Sequence, residues 1–155
     1  MTRLKPLEQW VCDTCGGLIE KPEDGWMEYY RNYSNNKCYG HYICHAGGGC
    51  YKDTQYGAGK RNLHLEGNHL DRVIALPWFG HILHVLELVA QGKIPDKINM
   101  PDLIEVMRRM YIPYYEEARF YLKQAQLNEG DWDGCDWSPD TFKQIIEEYE
   151  ERNDP

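Results

Sequence analysis

The 155 residues carry 25 Asp and Glu against 17 Lys and Arg, a net charge of −8, and 42% of the chain is hydrophobic. That balance excludes a disordered chain, and no run approaches the roughly eighteen apolar residues that a bilayer-crossing helix needs. The opening MTRLKPLEQW has no apolar signal core, which predicts a cytoplasmic protein whose six cysteines are thiols or metal ligands rather than disulfides.

The charge is unevenly placed. Residues 1–128 hold fifteen acids and fifteen bases, whereas 129–155 hold ten acids against Lys143 and Arg152, so the whole excess of −8 sits in the last stretch. A field of that sign repels phosphate backbones and argues against nucleic acid as the partner of this end. It reads as a solvated acidic helix, or as a surface offered to a basic protein.

In chain order, the first strong signal is Cys12-Asp13-Thr14-Cys15-Gly16. A Cys-x-x-Cys-Gly turn aims two thiolates at one point, half of a tetrahedral zinc site. Next, GWMEYYRNY (25–33) and KCYGHYICH (37–45), separated by the turn-forming SNN, predict a β-hairpin. The stretch 45–62 is glycine-rich loop, and its GAGK lacks the first glycine and the closing Ser/Thr of a phosphate loop.

From Asn68 the pattern becomes helical. Asn68 is expected to cap a short helix, with Asp71 completing a capping box. Pro77 breaks that helix and starts another, closed by Gly92. Pro101 opens a helix with Leu103, Ile104, Met107 and Met110 on one stripe. Pro113 opens the next, with Tyr114, Ala118, Tyr121, Leu122 and Ala125. Ser138-Pro139 caps a last helix lined by Phe142, Ile145, Ile146 and Tyr149. The predicted fold is α+β: a zinc-knuckle and β-hairpin module over 1–67, followed by a helical region of four to five short helices over 68–155, the two packed as one unit.

The other half of the metal site must come from Cys38, His41, Cys44, His45 and Cys50. Alternation along a strand puts Cys38 and Cys44 on one face and His41 and His45 on the other, so Cys44 and His45 do not easily ligate together. The preferred set is Cys12, Cys15, His45 and Cys50, holding one structural Zn2+. Replacing His45 by Cys44 is the nearest alternative, and a Cys38/His41 pair the third. A redox Cys-x-x-Cys is disfavoured because two glycines, not a helix, follow it.

Weaker constellations have structural readings beside them. His45, Asn62 and His69 follow the order of an HNH-type nuclease, but with poor spacing and without the usual acidic residue before the first His. His81, His84 and Glu87 share a helix face without the His-Glu-x-x-His pattern, and Asp131, Asp133 and Asp136 miss the calcium-loop order. Cys135 reads as a plain thiol. Tyr29, Tyr30, Tyr33, Tyr39 and Tyr42 fit a base-stacking platform or, more simply, cross-strand pairs, since few basic residues lie nearby.

WVCDTCGGLIEKPEDGWMEY, YICHAGGGCY and RRMYIPYYEEARFYL together resemble a group of small bacterial and phage proteins in which a Cys-x-x-Cys knuckle and a His…Cys pair precede an arginine- and tyrosine-rich helix. The resemblance implies the same ligand set, Cys12, Cys15, His45 and Cys50, and no particular reaction. The expected function is a non-enzymatic, zinc-stabilised adaptor that meets a protein partner, with an HNH-like nuclease and a zinc-module nucleic-acid binder as the alternatives.

Overall fold

A computed structural model of the chain describes residues 3–32, 37–47, 49–50, 63–92, 100–129 and 137–152. The architecture is α+β, with two small antiparallel sheets and five helices among these residues. The strands are β1 (Trp10–Val11), β2 (Leu18–Ile19), β3 (Gly25–Asn32), β4 (Lys37–His45) and β5 (Leu63–His69). The helices are α1 (Leu70–Val73), α2 (Leu76–Ala90), α3 (Met100–Tyr111), α4 (Tyr115–Glu129) and α5 (Pro139–Arg152).

β1 and β2 form the short ladder that carries the Cys-x-x-Cys turn, with Trp10 opposite Ile19 and Val11 opposite Leu18. The larger sheet has the order β4-β3-β5. Its central strand is the aromatic GWMEYYRN, as expected for a segment that must pair on both edges. The hairpin of β3 and β4 follows the sequence expectation, and the SNN turn between them lies outside the described residues.

Two features depart from that expectation. Tyr29 pairs with His41 and Tyr30 with Tyr39, so β4 carries one extra residue, Gly40, at a bulge. The strict alternation that put Cys38 on the face of Cys44 therefore does not carry across residue 40. The second departure is LHLEGNH, a third strand that holds Asn68 within it rather than at a helix cap. His69, not Asn68, precedes α1, and it makes no side-chain cap. Gly67 permits this pairing. A Cβ there would run into the backbone oxygen of Met27 and the Trp26 indole, so the strand can approach only without one.

The helices largely follow their punctuation. Gly92 closes α2 with φ +67, and the Ser138 hydroxyl accepts from the Thr141 N–H at 3.3 Å as the cap of α5. Pro113 does not open α4 directly, because Tyr114 intervenes with φ +67 before the helix starts at Tyr115. In α3 the buried stripe is Leu103, Val106 and Met110, while Ile104 is exposed.

Two apolar clusters result. The first joins Trp10, Ile19, Met27, Ile43 and Cys44 from the strands to Leu70, Val73, Val106 and Met110 from α1 and α3. The second is Tyr115 and Ala118 of α4 against Phe142, Ile145, Ile146 and Tyr149 of α5. Full burial of each large aliphatic or aromatic side chain contributes about 1.5–3 kcal/mol. No helix among the described residues is long and apolar enough to cross a membrane.

Candidate metal centre

The turn after β1 is shaped by hydrogen bonds to sulfur. The Thr14 N–H points at Cys12 Sγ (3.4 Å) and the Gly17 N–H at Cys15 Sγ (3.3 Å), while the Gly16 N–H closes on the Cys12 carbonyl (2.9 Å). Gly16 has φ +72, a conformation that costs any other residue strain. At Gly17 a Cβ would press to 3.2 Å on both Cys15 Sγ and the His45 ring. The two glycines after Cys15 thus make the turn and leave room for the imidazole.

The other donors arrive from the end of β4. His45 is its last residue, and the glycine-rich loop that follows returns Cys50 to the same point through positive φ at Gly47 and Gly49. The Thr14 hydroxyl donates to the Cys50 carbonyl at 2.7 Å and pins that loop to the knuckle. The donor atoms of Cys12, Cys15, His45 and Cys50 all lie within 4.8 Å of one another. Cys15 Sγ is 3.5 Å and Cys50 Sγ 3.7 Å from His45 Nδ1. A tetrahedron with metal–sulfur bonds near 2.3 Å and a metal–nitrogen bond near 2.0 Å has edges of about 3.6 Å, so the two sulfur–nitrogen separations are compatible with one metal ion.

The outer contacts fit as well. His45 Nε2 lies 3.1 Å from the Leu18 carbonyl, the kind of partner that fixes a ligating imidazole with Nδ1 free for the metal. Burial alone would push the Cys12 thiol up, but the backbone N–H groups of Cys15, Thr14 and His45 outweigh it and bring it down to about 7. Cys50 goes the other way: desolvation, then the neighbouring sulfurs of Cys15 and Cys12, push it up to about 11. For His45, burial disfavours the proton, yet the Leu18 carbonyl and the Cys12 sulfur raise its affinity for one. A divalent cation at the centre of these donors would favour their deprotonated forms.

Among the described residues, the other cysteine and histidine candidates lie elsewhere. Cys44 is fully buried in the first apolar cluster, where burial and the nearby Glu28 carboxylate push its thiol far above the usual range. It packs there as a neutral thiol and does not take the place of His45. His41 stacks on Tyr29 with ring centroids 5.3 Å apart, and burial lowers its pKa to about 4. His69 meets the Trp26 ring edge-on at 5.0 Å. It sits on β5, separated from His45 by the central strand β3. On α2, His84 faces Glu87 at 3.7 Å, both exposed. The side chain of Cys38, and Asn62, Asp131, Asp133, Cys135 and Asp136, lie outside the described residues, as do the side chains of Tyr30, Tyr33 and Tyr39.

One set of residues escaped the sequence reading. Arg109 of α3, only 2% exposed, donates to Glu116 Oε2 at 2.6 Å, to Asp13 Oδ2 at 2.6 Å and to the Val11 carbonyl at 2.9 Å. Arg119 adds a contact to Asp13 Oδ1 at 3.4 Å and one to Glu116 at 3.2 Å. The Trp10 indole donates to the Arg109 carbonyl at 3.0 Å. Asp13 is the residue between the two knuckle cysteines, but nothing local in the sequence pairs it with an arginine 96 positions away.

No protein-family model, curated protein or solved structure matches the chain. The function must therefore be argued from the site itself.

Proposed function

We propose that Cys12, Cys15, His45 and Cys50 hold one Zn2+ as a structural ion, and that the protein works without catalysis, as a zinc-stabilised adaptor acting through protein–protein contacts. The observation that carries this reading is the closed donor set. Four protein ligands leave no position for water or substrate, which is the pattern of structural rather than catalytic zinc. The choice of zinc over softer or redox-active ions rests on the donor set, three cysteine sulfurs and one imidazole.

The acidic end supplies the second half of the proposal. α5 buries Phe142, Ile145, Ile146 and Tyr149 and turns Asp140 and Glu147 to solvent, with Lys143 close to Glu147 at 3.9 Å. A basic protein surface is the partner that this charge favours, and a cytoplasmic setting of phage or mobile-element origin suits the resemblance noted above. The nuclease reading has less support, because the two ring nitrogens of His45 already face the thiols and the Leu18 carbonyl, leaving neither to act as a base.

Metal analysis of the purified full-length chain tests the central claim. One zinc per chain is expected, retained in Cys44→Ala and lost in His45→Ala. Retention in His45→Ala with loss in Cys44→Ala would reverse the ligand assignment. Incubation with plasmid and Mg2+ or Mn2+ tests the rest: cleavage abolished by His69→Ala would replace the adaptor reading with a nuclease. Salt-sensitive retention of DNA without cleavage would replace it with a nucleic-acid binder.

A further inference from the structure

We infer that Arg109 is a positioning residue of the metal centre, and that metal occupancy and the docking of α3 and α4 onto the knuckle form one coupled equilibrium. This rests on the metal reading above and concerns how the site is held and what its occupancy controls.

The argument begins at Asp13. Its backbone N–H donates to the Ile43 carbonyl at 2.8 Å, and its Oδ2 accepts from the Ile43 N–H at 2.8 Å. Both bonds tie it, and with it the turn between Cys12 and Cys15, to β4 two residues before His45. The same Oδ2 takes the Arg109 guanidinium, and Oδ1 faces Arg119. Asp13 is therefore held from one side by β4 and from the other by two helices. Glu116 repeats the arrangement in reverse. It belongs to α4, yet its Oε1 accepts the Val11 N–H at 2.9 Å from the strand that leads into the knuckle.

The charge count gives the arrangement its consequence. Arg109 and Arg119 are balanced by Asp13 and Glu116, two against two, in a region where Arg109 is 2%, Glu116 7% and Asp13 19% exposed. If the turn shifts and Asp13 is withdrawn, Arg109 keeps Glu116, which it holds through Nε and Nη2, but its Nη1 loses its acceptor where the side chain is only 2% exposed, and Arg119 loses Asp13 Oδ1. A buried donor left without an acceptor destabilises the docked state. Undocking of α3 and α4, which returns that donor to water, is then favoured. In the other direction, docked helices hold Asp13, and with it the turn, in the geometry the ligands need. Conserved or not, such outer contacts generally set metal affinity within one to two orders of magnitude.

The test uses the full-length wild-type chain first. Amide hydrogen exchange is followed with Zn2+ bound and after its removal by a chelator. Expected is a joint loss of protection, about tenfold or more, at the knuckle, at Arg109–Tyr111 and through the first turns of α4. Loss confined to the knuckle overturns the coupling while leaving the metal site standing. Failure to bind Zn2+ at all overturns both.

Variants then identify the residues. With Co2+ as a spectroscopic probe, Asp13→Asn and Arg109→Met are each expected to weaken binding by about 10–100-fold. The double variant should be no worse than the more severe single one, because both remove the same link. Additive losses would mean separate structural damage and would overturn the inference. Should Arg109→Met fail to fold, Arg119→Gln, at the more exposed edge of the network, is expected to weaken Co2+ binding severalfold, and an unchanged affinity there overturns it too.

Discussion

The two apolar clusters of this protein are built on opposite plans. The second, between α4 and α5, draws on residues 115–149 and consists of two consecutive helices packed by their stripes. The first draws on residues from Trp10 to Met110, taken from four strands and two helices, and its rim is polar: metal donors on one side and the Arg109 network on the other. The local cluster can form from neighbouring chain with little loop closure. The scattered one must close loops of up to a hundred residues, so it gathers ion pairs, a Cys/His cluster and the buried Trp10 indole hydrogen bond to hold elements that apolar area alone would hold loosely.

That contrast can be broken most forcefully at the metal. Cys12→Ser, or chelation of the wild-type protein, is expected to abolish zinc binding and the cooperative unfolding of the first cluster, because structural zinc sites contribute on the order of 10 kcal/mol to folding. Far-ultraviolet circular dichroism and metal content check this together. Full cooperativity without metal would show that the first cluster stands without it.

Next in size is Phe142→Ala. Its ring is fully buried against Tyr115 and Trp137, and its loss should cost about 3–5 kcal/mol by denaturant unfolding. Zinc stoichiometry should stay at one, which separates the two clusters experimentally. A fall in zinc content would mean that they share one cooperative unit at the site.

How much of this was legible follows from the same contrast. Ser138, Phe142, Ile145, Ile146 and Tyr149 could be read directly, because a cap and a 3.6-residue period are local facts. The Cys-x-x-Cys turn was equally plain, and the sequence reading named the four residues whose donor atoms the structure gathers. Asn68 was misread as a cap, and β5 not foreseen, because the strand's apolar residues are few and its partner, β3, lies over thirty residues earlier. The bulge at Gly40 did have a local sign, a glycine inside a strand pattern, that was not used. The Arg109–Asp13 pair left no trace in any short window, since it is decided by a helix 96 positions away.

Gly67→Ala sharpens the comparison at the sheet. The added methyl would meet the Met27 carbonyl oxygen, which as backbone cannot swing aside, and a loss of about 1–3 kcal/mol is expected by thermal or denaturant unfolding. A neutral result would mean that β5 is not paired to β3 as described. The smallest effect belongs to Ser138→Ala, which removes the acceptor of the Thr141 N–H and should cost about 1 kcal/mol, confined to α5. Hydrogen exchange in the first turn of that helix would register it.

The 96 residues between Asp13 and Arg109 also fix an order of events on the ribosome. At synthesis rates of about 5–20 residues per second, the knuckle waits roughly 5–20 s for the helix that will complete its charge balance. During that interval Trp10, Ile19, Met27 and Ile43 have no α3 to cover them, and Asp13 has no guanidinium. All four metal donors, by contrast, are already translated by residue 50. With the ion proposed above, its capture is a long-range closure the nascent chain can make before α3 exists, and supplying zinc during translation rather than after it is expected to raise the yield of folded protein.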